Sequence, residues 1–124
     1  MTKHFLRLFA VFFCSTVVAQ TSLIRNPSLS PSGSELAFSY QGDIWVYNLN
    51  TKASKRITIH EAYERNPVWS PDGKHIAFAS NRKGSDNVFV VSKEGGTPEQ
   101  MTYYPTGETP YDWTKDNNIL FTTS

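Results

Sequence analysis

Two stretches of this chain are nearly the same. Residues 26–40 read NPSLSPSGSELAFSY and residues 66–80 read NPVWSPDGKHIAFAS. With Pro27 set against Pro67, Ser30-Pro31 meets Ser70-Pro71, Gly33 meets Gly73, and Leu36-Ala37-Phe38 meets Ile76-Ala77-Phe78. The second copy then carries an insertion of about four residues, roughly Asn81-Arg82-Lys83-Gly84. Past it the copies fall back into step: Asp43-Ile44-Trp45-Val46 meets Asn87-Val88-Phe89-Val90, and Arg56-Ile57-Thr58 meets Gln100-Met101-Thr102. A third copy opens with Trp113 answering Trp69, Asp116 answering Asp72, and Ile119-Leu120-Phe121 answering Ile76-Ala77-Phe78. The period is roughly 40 to 44 residues, that of a repeated supersecondary unit.

Each unit holds four short apolar runs, expected in the second copy at 67–70, 75–80, 87–92 and 99–102. Turn chemistry separates them. Ser70-Pro71-Asp72-Gly73 is a β-turn string, in which Pro presets φ, Asp bonds its own backbone and Gly closes the turn. Residues 82–86 read as a Gly-containing loop, and Glu94-Gly95-Gly96-Thr97 as a turn using φ > 0. Helical periodicity is absent past residue 19. In the third run of each unit, Ile44-Trp45-Val46-Tyr47 and Val88-Phe89-Val90-Val91, consecutive positions are apolar, which implies burial on both faces. Four-stranded meanders at this period, each covered by its neighbours, predict an all-β chain: a partial β-propeller of antiparallel four-stranded blades. A small β-sandwich is the alternative, and the co-registered matches argue against it.

The repeat NPVWSPDGKHIAFAS followed by NVFVVSKEGGTPEQMT resembles that of TolB-type propellers. It also occurs in the propellers of prolyl-oligopeptidase-like enzymes and tricorn-type proteases. The resemblance covers 23–124. A narrower one joins LIRNPSLSPSGSELAFSYQGDIWVYNL to the opening of exported tricorn-like serine peptidases, and GGTPEQMTYYPTGETPYDW to their passage from second to third blade. The chain departs from the repeat at Ser32, which lacks the turn's Asp, at 115–118, and at Thr51-Lys52, which replaces Gly95-Gly96. All of these fall in turns.

The first residues, MTKHFLRLFAVFFCSTVVAQ, carry Lys3 and Arg7, an apolar run over 8–14 and small residues at Val17-Val18-Ala19. This is the layout of a secretory signal peptide cleaved before Gln20; a buried helix or a membrane anchor is the alternative. The run is shorter than the ~20 residues that span a bilayer. Expected boundaries are a signal peptide, as a helix, at 1–19 and an incomplete propeller at 20–124, with blade one at about 22–65, blade two at about 66–108 and the start of blade three at 109–124. Cys14, the single cysteine, sits in the signal behind Phe13, so the mature chain holds no thiol for disulfides, catalysis or metal. The chain has 12 Lys plus Arg against 11 Asp plus Glu, and loses Lys3 and Arg7 with the signal. No basic stripe remains for nucleic acid. The localisation expected is export, periplasmic or extracellular, with no stable membrane span after signal removal.

No catalytic, cofactor-binding or metal residue is expected in this stretch. His60-Glu61 invites a metalloprotease motif, but HExxH needs a second His where Glu64 stands, and a helix. His60, Tyr63 and Glu64 are expected to line the loop between blades one and two, and His75 to face solvent. Asp72, Asp86 and Asp116 fall one per turn, which suits capping better than calcium. Trp69 and Trp113 recur at one repeat position, which favours packing between blades over ligand contact; Trp45 is the third tryptophan. Neither a GxSxG elbow nor a phosphate loop occurs.

The resemblance implies the leading propeller of an exported tricorn-like serine peptidase, gating or scaffolding peptide substrates, with catalytic machinery downstream. The alternatives are a non-enzymatic TolB-like binder of envelope proteins and the propeller of an amidohydrolase. After the signal about 105 residues remain, two units and a hairpin, whereas a propeller takes at least about four blades to close. The chain is therefore expected to be the front of a longer protein, closure by oligomerisation being the alternative. The isolated mature fragment is expected to be poorly soluble, because open strand edges promote aggregation. A sharp, reversible thermal transition from a monomer would contradict this.

Overall fold

The hairpins begin at turns that the repeat spells out. Gly33 N donates to Ser30 O at 2.9 Å and Gly73 N to Ser70 O at 2.9 Å, closing four-residue turns at equivalent positions. Ser70 Oγ accepts from His75 N at 3.0 Å and donates to Asp72 Oδ1 at 2.6 Å. Gly73 sits at φ +69°, where a Cβ is disfavoured. The third copy has no glycine here, yet Asn117 N still donates to Thr114 O at 3.1 Å with φ +64°. Asn is among the few other residues that tolerate this region, so the divergent Thr114-Lys115-Asp116-Asn117 string makes the same turn.

A computed structural model describes residues 23–124. The signal helix expected at 1–19 lies outside the described residues. Ten strands follow one another: β1 (Arg25–Leu29), β2 (Glu35–Tyr40), β3 (Asp43–Asn48), β4 (Ser54–Arg56), β5 (Glu64–Trp69), β6 (His75–Lys83), β7 (Ser85–Ser92), β8 (Gly95–Gln100), β9 (Glu108–Trp113) and β10 (Ile119–Thr123). They form antiparallel meanders: a sheet β1-β2-β3-β4, a sheet β5-β6-β7-β8 and a pair β9-β10. Each four-stranded sheet is a propeller blade, and the described chain is all-β. No helix among the described residues is long and apolar enough to cross a membrane.

Several strand limits differ from the sequence expectation: β5 starts at Glu64 rather than 67, ahead of the blade boundary expected at about 66, and β8 ends at Gln100 rather than 102. The segment 82–86, read as a loop, lies mostly within the β6–β7 hairpin, where Lys83 pairs Ser85 around Gly84. The Gly95-Gly96 pair, read as a turn, instead opens β8, with Ser92 paired to Gly95. In both places ladder hydrogen bonds continue past the turn residues, because the neighbouring strand is there to accept them.

The two sheets pack face to face. Ala37, Ile44, Val46 and Ile57 of the first blade form one buried cluster with Trp69, Ile76, Phe78, Phe89 and Val91 of the second. Burial of each large side chain contributes about 1.5–3 kcal/mol. Phe78 and Phe89 stack across β6 and β7 with centroids 6.0 Å apart. Of the third strand, Val88, Phe89 and Val91 are buried and Val90 is half-buried, as a strand covered on both faces requires.

Substituting Gly73→Ala is expected to lower stability by about 1 kcal/mol, since alanine pays the left-handed penalty. Gly73→Asn should cost less. Denaturant titration of both checks this, and an unchanged midpoint for Gly73→Ala would contradict it.

Candidate functional site

β1, β5 and β9 are each the first strand of their sheet, and they lie side by side. The contact between them is made by the recurring tryptophan. Trp69 Nε1 donates to Ser28 O at 2.9 Å, and Trp113 Nε1 donates to Val68 O at 3.1 Å. Each indole thus reaches back from its own blade to the inner strand of the preceding one, which is the packing role the repeat position implied. The equivalent residue of the first copy is Leu29, which is exposed. Trp45 lies elsewhere, half-buried on β3 and edge-on to Tyr40 at 6.0 Å.

Every inner strand carries a bulge at the same register. Asn26 and Pro27 lie between the pairs Arg25↔Ser39 and Ser28↔Ala37, opposite Phe38; Asn66 and Pro67 lie opposite Phe78 in the same way. In the third copy the irregularity falls between Leu120 and Phe121, beside Pro110 and Tyr111. Asn26 and Asn66 hold φ of +50° and +54°. Two residues against one is the count of a β-bulge, with Asn taking the left-handed position. A cavity of about 290 Å³ opens along this wall, lined by Asn26, Pro27, Asn66, Pro67, Pro110 and Tyr111. A larger one, about 520 Å³, lies between the second blade and β9-β10 among Val88, Val90, Met101, Trp113, Ile119 and Phe121. That one is interblade space.

The seams between blades are closed by buried polar groups that the sequence reading did not identify. Within each blade a threonine leads into the seam: Thr58 Oγ1 accepts from Ile44 N, and Thr102 Oγ1 accepts from Val88 N, both at 2.9 Å. At the second seam Glu108, fully buried, receives Asn87 Nδ2 at 2.8 Å, Thr102 Oγ1 at 3.1 Å and Thr106 Oγ1 at 2.9 Å. Burial opposes its charge, but the Asn87 amide and the Thr106 and Thr102 hydroxyls outweigh it and hold the carboxyl below the usual glutamate range.

At the first seam the residue matching Asn87 is Asp43, a carboxylate with nothing to donate to Glu64. The two acids take separate partners. Arg56 Nη2 and Nε bond Asp43 Oδ2 at 2.6 and 3.1 Å. Glu64, expected to line a loop, is instead the fully buried first residue of β5 and pairs with Arg82. Arg82 comes from the four-residue insertion and lies 4.8 Å over the Phe89 ring. Glu64 Oε2 has no hydrogen-bond partner among the described residues. A Glu five residues before the repeated Trp, in ERNPVW and ETPYDW, was the sequence signal for this position.

The remaining candidates separate. His60 is exposed; its Nδ1 accepts from Ala62 N at 2.9 Å and its own N–H faces Asp43 Oδ1 at 3.3 Å. Tyr63 packs beside Gly42. Exposed His75 begins β6. Asp72 caps its turn, and its bonds from Ser70 and Lys74 lower its pKa. Asp86 pairs with Arg65, and Asp116 lies exposed in the last turn. No group of three or more His, Cys, Asp or Glu among the described residues could hold a metal ion.

Residues 21–124 match the family described as the tricorn protease N-terminal beta propeller domain. The chain is 31% identical over 111 residues to the "Uncharacterized peptidase YuxL" of Bacillus subtilis (strain 168), covering 81% of this chain and 17% of that protein. It is 31% identical over 106 residues to "Tricorn protease homolog 1" of Streptomyces coelicolor, covering 85% and 10%. The crystal structure of TolB from Acinetobacter baumannii superposes with a TM-score of 0.67 at 25% identity, covering 81% of this chain and 26% of that one. The chain thus spans less than a fifth of the length of these curated relatives.

Replacing Arg82 with Met strands a buried carboxylate and is expected to cost about 3–5 kcal/mol. Adding Glu64→Gln to that variant should recover a large part, since no charge is then left alone. A double-mutant cycle by denaturant titration measures the coupling; additive effects would contradict the pairing.

Proposed function

Because the chain belongs to the family of tricorn protease N-terminal beta propeller domains, we propose that it forms the leading blades of an exported serine peptidase, where they gate or scaffold peptide substrates. The observation that carries this reading is the family match, which covers all of the described residues. Two curated relatives named as a peptidase and a protease homologue support it. The catalytic serine belongs to another domain of the same polypeptide and cleaves peptides by acyl transfer. The part left to these blades is physical. The inner strands form a wall along which an extended peptide passes, and the interblade seams keep that wall rigid. The start at 1–19 directs export, with cleavage before Gln20.

The fold likeness to TolB favours a second reading, a propeller that binds an envelope protein without catalysis. One experiment separates the two. The full-length polypeptide is expressed with its own N-terminus, recovered from the exported fraction, sequenced at its N-terminus and treated with a fluorophosphonate. The expected result is a chain beginning at Gln20 that is labelled by the probe and loses hydrolysis of unstructured peptides on labelling. A protein that is neither labelled nor hydrolytic overturns the peptidase reading. If it instead co-purifies with an envelope protein, the second reading stands.

A further inference from the structure

The bulge asparagines of the inner strands have free hydrogen-bonding capacity, as do the exposed Asn50, Asn117 and Asn118 of the turns. The carboxamide of Asn48 accepts from Asn50 N and Thr51 N, that of Asn81 accepts from Tyr63 N, and that of Asn87 donates to Tyr104 O and Glu108. The carboxamides of Asn26 and Asn66 have no such partner among the described residues. They are nonetheless the two that occupy the same register, on neighbouring strands, in the same left-handed conformation, along one cavity. The bulge accounts for the left-handed backbone, while the carboxamides, serving no internal bond, stay available to a ligand.

We infer that Asn26 and Asn66 are two rungs that read the main chain of an extended peptide, independently of its side chains. This rests on the peptide-gating reading and says what the wall recognises. A carboxamide offers both a donor and an acceptor, the complement of a peptide unit. The residue after each Asn is proline, which removes a backbone donor from the inner strand. A passing peptide therefore cannot add itself as a full extra strand, the tight mode of edge recognition. It is held at separate points by side-chain amides and released again, as a passage requires. Beside Asn66 the charge of Arg65 is paired with Asp86, whereas beside Asn26 the exposed Arg25 has no ion pair among the described residues. The third copy has Pro110 in place of the Asn and supplies no carboxamide, so the reading is done by two rungs.

The test uses the full-length polypeptide with fluorophosphonate present, so that the probe is not consumed. The probe is a fluorescein-labelled decapeptide of Gly, Ala and Ser, read by anisotropy, with a backbone N-methylated counterpart. Asn26→Gly with Asn66→Gly keeps the positive φ and deletes both carboxamides. Asn26→Asp with Asn66→Asp keeps their size and deletes their N–H donors. The Asp pair should raise the Kd by roughly 5- to 140-fold, the range for two lost hydrogen bonds, and the Gly pair, which loses the acceptors as well, by at least as much. N-methylation should weaken binding to the unaltered protein and have little further effect on either variant. An unchanged Kd in the variants overturns the inference while leaving peptide gating in place. Weakening in the Gly variant alone overturns it too, since the loss then comes from a loosened bulge. Failure of the unaltered protein to bind the probe overturns the inference together with the gating reading.

Discussion

A four-stranded sheet of this size has two faces and can cover neither of them by itself. Face-to-face packing of consecutive blades is the constraint on which the rest of the structure depends. The cluster that joins Ala37, Ile44, Val46 and Ile57 to Trp69, Ile76, Phe78, Phe89 and Val91 belongs to the interface as much as to either blade. The indoles of Trp69 and Trp113 tie that layer to the inner strands, where each satisfies a carbonyl of the preceding blade. A residue there must be large enough to fill the gap and must carry one donor at its far end, which tryptophan alone does well.

Polar groups buried in the same layer set the register between blades. The two seams solve one problem with different chemistry. Where residue 87 is Asn, its amide donates directly to Glu108, and two threonine hydroxyls complete the shell. Where residue 43 is Asp, no donor is available, and a guanidinium arrives from the insertion that the second copy has and the first lacks. The insertion is therefore part of how the first seam is neutralised. A buried ion pair of this kind is a poor source of net stability compared with apolar packing, but it is intolerant of losing one partner.

The wall formed by β1, β5 and β9 is a consequence of that packing. Once the first strands of successive blades are brought side by side, their bulges align, and whatever the repeat places at that register is presented as a column. Proline in the column discourages strand addition, which a free inner edge would otherwise invite. The asparagines fill the left-handed position and keep their amides unspent.

Much of this was legible from residue order. The period, the Ser-Pro-x-Gly turns, the doubly covered third strand and the packing role of the repeated Trp all follow from local turn chemistry and alternation, which act over a few residues. Strand limits at 82–86 and at Gly95-Gly96 were misjudged, because glycine signals a turn only where no neighbouring strand continues the ladder. Glu64 with Arg82, Glu108 with Asn87, and the unpartnered Asn26 and Asn66 were decided by tertiary structure. Their roles depend on which groups from distant parts of the chain arrive within about 3 Å of one another, and that distance is set by how one sheet lies on the next.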